Sequence, residues 1–479
     1  MSAPLDALTA PLEPLGDGAW LVGGGLRDAL LHRHVAEVDL AVEGDGRAAA
    51  RVLAEAHGAG RFELSRGFDS WRVHGGRLPY AVDITPLQGP DLAEDLGRRD
   101  FTVNALAVAV TGHDRAVVDL HGGLDDLAAR RLRLVRPTAF AADPVRLLRA
   151  GRLAAQLGFE IDPATVARAR SDAGGLWDAP GERIAEELRR ALRLPGAVDA
   201  LLRVDQIGAL GVLAPELEEA RGLEQNPYHH RDVLGHTMEV VAGVASIAGD
   251  PEPVFRGAAG PIAERLAEPL ADDLTRGQAL LLAALLHDMA KPATRAVQPG
   301  GRVTFMGHDR LGAEMADRLL LRLRASRRLR EFVTHCVRYH LPLGFLVHRQ
   351  PLSLRQIDRY LRLTAPAEIE LIVLSAADRM ATRGPRTRDA AVQRHLDLAR
   401  LVLRTHLEIQ AREPIRPPVG GDVLARELDR RPGPWLGELL IGLREEQLVG
   451  RVRSTDDALR FARAWDADPA NQPGGDASA

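Results

Sequence analysis

Along the first 140 residues, short apolar runs alternate with polar turns, and two spacings recur. Ala19-Trp20-Leu21-Val22 reads as a buried strand that runs into Gly23-Gly24-Gly25 and then into a helical stretch, Leu26 to Leu31. In Glu37-Val38-Asp39-Leu40-Ala41-Val42 a period of two puts Val38, Leu40 and Val42 on one face and Glu37 and Asp39 on the other. Ala81-Val82-Asp83-Ile84 is a further strand-like run with a carboxylate in it. Residues 17–140 therefore predict a mixed unit of strands and helices, of the α+β or α/β class. From 141 to about 215 the pattern turns helical, rich in Arg, Ala and Leu, and 220–400 is helical with histidines at intervals. A Pro-rich break at Glu413-Pro414-Ile415-Arg416-Pro417-Pro418 introduces a last helical unit ending near Trp465. The expected organisation is a head (1–140), a helical neck (141–215), a helical domain (220–400), a helical tail unit (405–466) and a disordered tail (467–479).

Composition narrows the class. Hydrophobic residues make up 46% and charged residues 27%, an ordinary globular balance. No run of eighteen apolar residues occurs, so no membrane span is expected, and the N-terminus lacks the features of a secretion signal. The single cysteine, Cys336, excludes an intrachain disulfide and a cysteine-based zinc site, and a cytoplasmic location is expected. The net charge of −4 does not by itself announce a nucleic-acid binder, but Arg322, Arg324, Arg327, Arg328 and Arg330 form a local stripe that suits a phosphate backbone or a solvated helix face. Of the 62 Lys and Arg residues only Lys291 is a lysine, which hints at a local need for a compact point charge.

The chemistry-bearing residues are carboxylates and histidines. A strand, a glycine turn and a helix start leave unpaired N–H groups that suit an anion, with Gly24 and Arg27 as the grip. The turn is not a Walker loop, because no Gly-Lys-Ser/Thr follows. Glu37 and Asp39, at i and i+2 on a strand, stand about 7 Å apart, near enough to share a pair of Mg²⁺ ions, with Asp83 as a third carboxylate.

Here the sequence resembles a family. Gly23-Gly24-Gly25-Leu26-Arg27-Asp28 followed by Glu37-Val38-Asp39 is similar to the first motif of the bacterial tRNA nucleotidyltransferase and poly(A) polymerase family. The run from Asp95 through Arg98, Arg99, Asp100 and Asn104 to Ala105 resembles its second motif, and Asp119-Leu120-His121-Gly122-Gly123 its third. Asp143-Pro144-Val145-Arg146-Leu147-Leu148-Arg149-Ala150 resembles its nucleotide-templating helix. Two positions depart from the family pattern: Glu37 stands where it has Asp, and Ala142 where it has Glu before the templating Asp. The resemblance implies a polymerase-β-like head of mixed sheet and helices, an all-helical neck, an HD domain and a helical tail.

Asp143 and Arg146, three apart on the predicted helix, share a face. A carboxylate accepts from an exocyclic amine and a guanidinium donates to a ring acceptor, so the pair selects C and A and rejects U and G. Arg149 and Arg152 continue that face toward triphosphate or RNA. Only eleven residues, Ile84 to Glu94, separate Asp83 from Asp95. In the family that short connector goes with enzymes that add two C residues and leave the A to a companion enzyme. The resemblance thus implies addition of CMP from CTP to the 3′ end of tRNA, with full CCA addition, A addition from ATP and poly(A) synthesis as alternatives. The oligomeric state stays open.

In the helical region His236, His287-Asp288, His308, His340 and Asp378 form an ordered imidazole–carboxylate set that resembles the HD phosphohydrolases. Its ligands would be His236, His287, Asp288 and Asp378, with His308 and His340 (or His335) holding a second ion. Such donors suit Mn²⁺, Fe²⁺, Co²⁺, Ni²⁺ or Mg²⁺. Lys291 stands beside that set, and phosphate esters at RNA ends are the expected substrates; a chain acting chiefly as this hydrolase is the rival reading.

Overall fold

The computed structural model describes residues 2–112, 116–411, 417–468 and 471, and it divides into two compact units. The first comprises residues 1–218 with 322–324, the second 219–321 with 325–479. Among the described residues no helix is long and apolar enough to cross a membrane. Of the expected tail, residues 469, 470 and 472–479 lie outside the described residues, as do Glu413 to Arg416 of the Pro-rich break.

The first unit is built on a seven-stranded mixed sheet: β1 (Ala19–Val22), β2 (Glu37–Val42), β3 (Gly60–Ser65), β4 (Ser70–His74), β5 (Ala81–Pro86), β6 (Leu106–Ala109) and β7 (Val118–Asp119), in the order β3-β4-β5-β2-β1-β6-β7. Within this sheet β2 and β5 run parallel, and their register sets Asp39 beside Asp83. β4 pairs antiparallel with β5 and sets Arg72 opposite Asp83. The alternation in β2 emerges as expected, with Val38, Leu40 and Val42 buried and Glu37 and Asp39 outward. Burying three such side chains contributes several kcal/mol, which fixes the face on which the carboxylates stand.

One local expectation changes. The three glycines are not a turn before the helix; they form its first turn, and the helix spans Gly23–Leu30. Gly23 has φ +71°, and a Cβ there would lie 2.6 Å from Asp39 Oδ2. A Cβ on Gly25 would lie 2.8 Å from the Glu37 carbonyl, so that glycine lets helix and β2 close up.

Behind the sheet, helix Arg146–Leu157 packs on helix Ala197–Gln206, and the two backbones approach at Gly151, where a Cβ would lie 2.9 Å from the Val204 nitrogen. The second unit packs helices Val233–Gly249, Arg276–Leu286 and Glu368–Ala381 around one another. The first starts on an Asp232 cap (Gly235 N–H to Oδ1, 2.6 Å), the second on a Thr275–Gln278 capping box. Its last helices, Gly421–Glu427, Pro434–Leu448 and Thr455–Asp466, close on a core of Val419, Leu424, Leu439, Leu443, Val452, Ala458 and Ala462. The arginine stripe is partly consumed there: Arg327 pairs with Glu331 at 2.6 Å and Arg330 with Asp317 at 2.9 Å.

Candidate functional site

In the first unit an open cleft of about 870 Å³ runs from the sheet surface to helix Arg146–Leu157. Glu37, Asp39 and Asp83 face it, as do Gly24, Arg27, Arg98, Arg99, Asp100, Asn104, Arg146, Arg149 and Arg152. Of the residues expected here, Asp143 alone is not part of the cleft lining.

Each carboxylate has a distinct setting. Crowding by the surrounding protein raises the Asp39 carboxyl above the usual range, and the charges of Asp83 and Glu37 add to it; Arg99 and the Gly24 N–H oppose it. Arg72, which the sequence reading passed over, holds the other two. Its guanidinium donates to Asp83 at 2.6 and 2.7 Å and to Glu37 Oε2 at 2.9 Å. The signal existed in the alternation of Ser70-Trp71-Arg72-Val73, but pairing it with Asp83 requires the strand register, which is non-local. Three acids lining one cleft, with the ionisation of Asp39 disfavoured by burial and by its two neighbours, form an all-oxygen donor set for a hard cation.

The second motif folds into a fixed scaffold. Asp100 accepts from the Phe101 N–H (2.7 Å) and Asn104 (2.9 Å), and Arg149 pairs with it at 3.2 Å. Burial opposes its ionisation, but the Arg149 charge and these hydrogen bonds hold it below the ordinary value. Asn104 accepts in turn from Arg27 Nη1 at 2.7 Å, and the Arg27 Nε and Nη2 donate to Asp28 at 2.9 and 3.0 Å. Arg27 is thus buried and held in place, with one N–H on each of Nη1 and Nη2 outside these bonds. Arg99 pairs with Asp95 at 2.9 Å and Arg98 with Glu94 at 3.0 Å. The third motif is a buttress: Asp119 accepts from the N–H groups of His121, Gly123 and Leu124 at 3.2, 2.9 and 2.9 Å.

The templating pair departs from the helix expectation. Asp143 is extended (φ −151°, ψ 94°), and the helix begins at Arg146. Pro144 accounts for this, because a proline disfavours helical geometry in the residue before it. The Asp143 carboxylate pairs with Arg183 at 2.8 Å, and Arg146 Nε stands 3.8 Å from it. Arg146 also donates to the Arg98 carbonyl at 2.8 Å, while Arg149 and Arg152 both clamp the buried Glu187, at 3.0 and 2.7 Å.

The second unit holds two ligand groups, His236–His287–Asp378 and Asp288–His308–His340, each with its donor atoms within 4.8 Å of one another. His287, His308 and His340 bond through Nδ1 to the carbonyls of Ala284, Phe305 and Val337 at 2.7, 2.6 and 2.7 Å. That leaves each Nε2 as the inward atom, an arrangement that orients imidazoles for a metal. Asp288 lies between the groups, with Oδ2 3.1 Å from His287 and Oδ1 3.3 Å from His308. Burial works against its charge, yet His287, Lys291 and the hydrogen bonds from His287 and His308 hold it well below the carboxylate range. Lys291 is 2.7 Å from Asp288 Oδ2 and 2.7 Å from Gln225 Oε1. The buried Nε2 atoms of His236 and His287 face carboxylates, 3.0 Å from Asp378 Oδ1 and 3.1 Å from Asp288 Oδ2, close enough for imidazole and carboxylate to share an ion. His335 goes elsewhere, to the Thr364 carbonyl at 2.9 Å, which leaves His340 in that position. His229 was not anticipated; its ring stacks edge-on against His236 at 4.9 Å.

Family models match three ranges: "Poly A polymerase head domain" at 72–133, "Probable RNA and SrmB- binding site of polymerase A" at 158–221 and "HD domain" at 233–383. The chain is 34% identical over 463 residues to the A-adding tRNA nucleotidyltransferase of Deinococcus radiodurans, covering 95% of this chain and 97% of that one. It is 34% identical over 455 residues to the CC-adding tRNA nucleotidyltransferase of Thermus thermophilus, covering 93% of each. The CC-adding enzyme of Geobacter sulfurreducens is 33% identical, covering 96% and 95%. Among solved structures, a CCA-adding enzyme with ATP matches with a TM-score of 0.66 at 18% identity over 97% of this chain and 96% of that one. A Thermotoga maritima CCA-adding enzyme complexed with tRNA matches at 0.63 and 19%, over 97% and 96%. The fold and site define a nucleotidyltransferase whose polymerase-type head is joined to an HD domain, and both domains imply divalent metal dependence. The chain belongs to the bacterial tRNA nucleotidyltransferase family.

Proposed function

We propose that this enzyme extends the 3′ end of tRNA with CMP from CTP and stops after the second C, leaving the A to a companion enzyme. The observation that carries this reading is the connector between β5 and helix Leu92–Gly97, only Leu87 to Asp91. It is pinned at three points: Leu87 N–H to the Val42 carbonyl (2.9 Å), Gln88 N–H to Asp95 (2.9 Å), and Asp91 capping the helix through the Glu94 N–H (2.9 Å). A connector without slack suits a pocket that reads one base and does not reshape for a second. The named relatives divide between A and CC addition at equal identity, so identity does not choose between them.

In the reaction the tRNA 3′-hydroxyl attacks the CTP α-phosphate and pyrophosphate leaves. Glu37 and Asp39 would hold Mg²⁺, which supplies an activated hydroxyl and charge neutralisation at the pyrophosphate. Arg72 keeps Glu37 and Asp83 on the cleft floor, so the longer Glu37 side chain still presents its oxygens beside Asp39. Asp143 and Arg146 read the cytosine amine and its ring acceptor, with Arg183 giving up its hold on Asp143 when the base enters. Arg99, Arg149 and Arg152 supply positive potential for the triphosphate.

The test is incorporation on a tRNA transcript lacking CCA and on one ending in CC, with CTP, ATP or both, followed by sequencing of the product ends. Two C residues and no A support the reading. A completed CCA, or A added to the CC end, overturns it.

A second reading concerns the other unit: the two ligand groups are arranged to hold Mn²⁺, Ni²⁺, Co²⁺, Fe²⁺ or Mg²⁺ and to hydrolyse phosphate esters at RNA ends. It rests on the inward Nε2 atoms and on Asp288 standing between the groups.

A further inference from the structure

The cavity beside the second unit's ligand groups measures about 520 Å³, far more than one phosphate requires and within the range of nucleotide-sized sites. One end is the ligand set, with Lys291 already committed to Asp288 and Gln225. The same cavity is lined by Arg379, one residue past Asp378 on helix Glu368–Ala381, and by Arg394 on helix Asp389–Gln410. Neither guanidinium makes a hydrogen bond or ion pair with a described residue, and the Arg379 Nε is buried without a partner. Other arginines of the unit are consumed by its own acids: Arg276 pairs with Glu370, Arg362 with Asp358 and Arg330 with Asp317. Two guanidiniums lining one cavity, neither in an ion pair with a described residue, have donors that an incoming anion can satisfy. Leu341, Val347 and the largely exposed Phe345 also line the cavity and supply an apolar surface on which a base can rest.

We infer that Arg379 and Arg394 form a second-phosphate subsite, so that the cavity takes the last nucleotide of an RNA chain together with the phosphodiester that precedes it. The inference rests on the reading of the HD cluster as an RNA-end hydrolase and deepens it. The terminal phosphate lies at the ligand groups and the base against Phe345. The preceding phosphodiester is held by the planar forks of the two arginines, a geometry guanidinium offers and ammonium does not. A small phosphomonoester, or a mononucleotide with a single phosphate, leaves the two arginines unused.

The experiment compares full-length protein with Mn²⁺ on cytidine 2′,3′-cyclic phosphate and on the dinucleotide CpC 2′,3′-cyclic phosphate. We expect kcat/KM to favour the dinucleotide by about tenfold or more, the scale of charge-assisted phosphate contacts. In the double variant Arg379→Gln/Arg394→Gln that ratio falls to near one, with CMP incorporation serving as the control for folding. A ratio near one in the parent protein, or an unchanged ratio in the variant, overturns the subsite. Hydrolysis of neither compound with Mn²⁺, Ni²⁺, Co²⁺ or Mg²⁺ overturns the hydrolase reading instead. Calorimetric binding of CpC 3′-phosphate then decides the subsite: tenfold weaker binding by the variant supports it, and equal affinity sinks it.

Discussion

Asp39 sits in the cleft with its ionisation disfavoured, first by burial and then by the charges of Asp83 and Glu37, against Arg99 and one N–H. Replacing it by Asn removes the negative charge and keeps the shape, so CMP incorporation should fall on the order of 10³-fold with the fold intact. Unchanged incorporation would remove Asp39 from the metal set. Arg72 calls for a different readout. It bonds three carboxylate oxygens at once, so Arg72→Ala should lower incorporation at least about tenfold and shift its Mg²⁺ dependence, and Arg72→Lys should not restore it. Full rescue by Lys would mean that the charge alone suffices. In the second unit, burial pushes His395 down to about 4, with Ser375 Oγ 3.0 Å away. Because the folded value lies below the unfolded one, the unfolded chain takes up a proton first as the pH drops. Stability from this group is therefore full above about pH 6.5 and lost progressively down to pH 4, by about 3 kcal/mol. Thermal melts of His395→Asn should show a shallower decline between pH 7 and 4.5 than the parent; parallel declines would assign the acid loss to other groups.

At the scale of elements, what was legible in the sequence was whatever period and composition encode locally. The carboxylate face of β2 follows from strict alternation, and Gly23 to Gly25 mark the strand–helix junction. What escaped depended on partners distant in sequence or on a rule left unapplied. Arg72 reaches Asp83 only through the β4–β5 register, and Arg27 is consumed by an asparagine 77 positions away. Pro144 outweighs the i, i+3 spacing of Asp143 and Arg146: it disfavours helical geometry at Asp143, a local rule legible in the sequence, and the helix starts only at Arg146. The glycines carry the prediction at this scale. Gly23→Ala forces a side chain into positive φ and against Asp39, at a cost of about 1–2 kcal/mol, and displaces the carboxylate. Incorporation should fall at least tenfold while the melting temperature changes by only a few degrees. Gly151→Ala should invert the pattern, because its Cβ meets the Val204 backbone and no reacting group. There the melting temperature should drop, by about 1–3 kcal/mol of stability, with activity per folded molecule kept.

On the scale of the whole molecule, each unit carries its own acids and bases. The head gathers carboxylates and arginines around a cleft, and the HD unit gathers imidazoles and two carboxylates around a buried cluster. Oxygen donors prefer Mg²⁺, whereas mixed nitrogen and oxygen donors prefer transition ions, so the two sites should be separable by metal as well as by mutation. Micromolar Mn²⁺ or Ni²⁺ added to chelator-treated protein should raise the melting transition of the HD unit. At a hundredfold excess over Kd the gain is about 2.7 kcal/mol. His236→Ala removes a ligand from one group and leaves Asp288 facing one imidazole fewer. It should abolish most of that thermal gain while CMP incorporation with Mg²⁺ stays within about twofold of the parent, a change below 0.5 kcal/mol. Asp39→Asn should do the reverse, keeping the thermal response and losing incorporation. If His236→Ala also stops incorporation, the ions of the HD unit support the head, and the two chemistries are coupled rather than carried side by side in one chain.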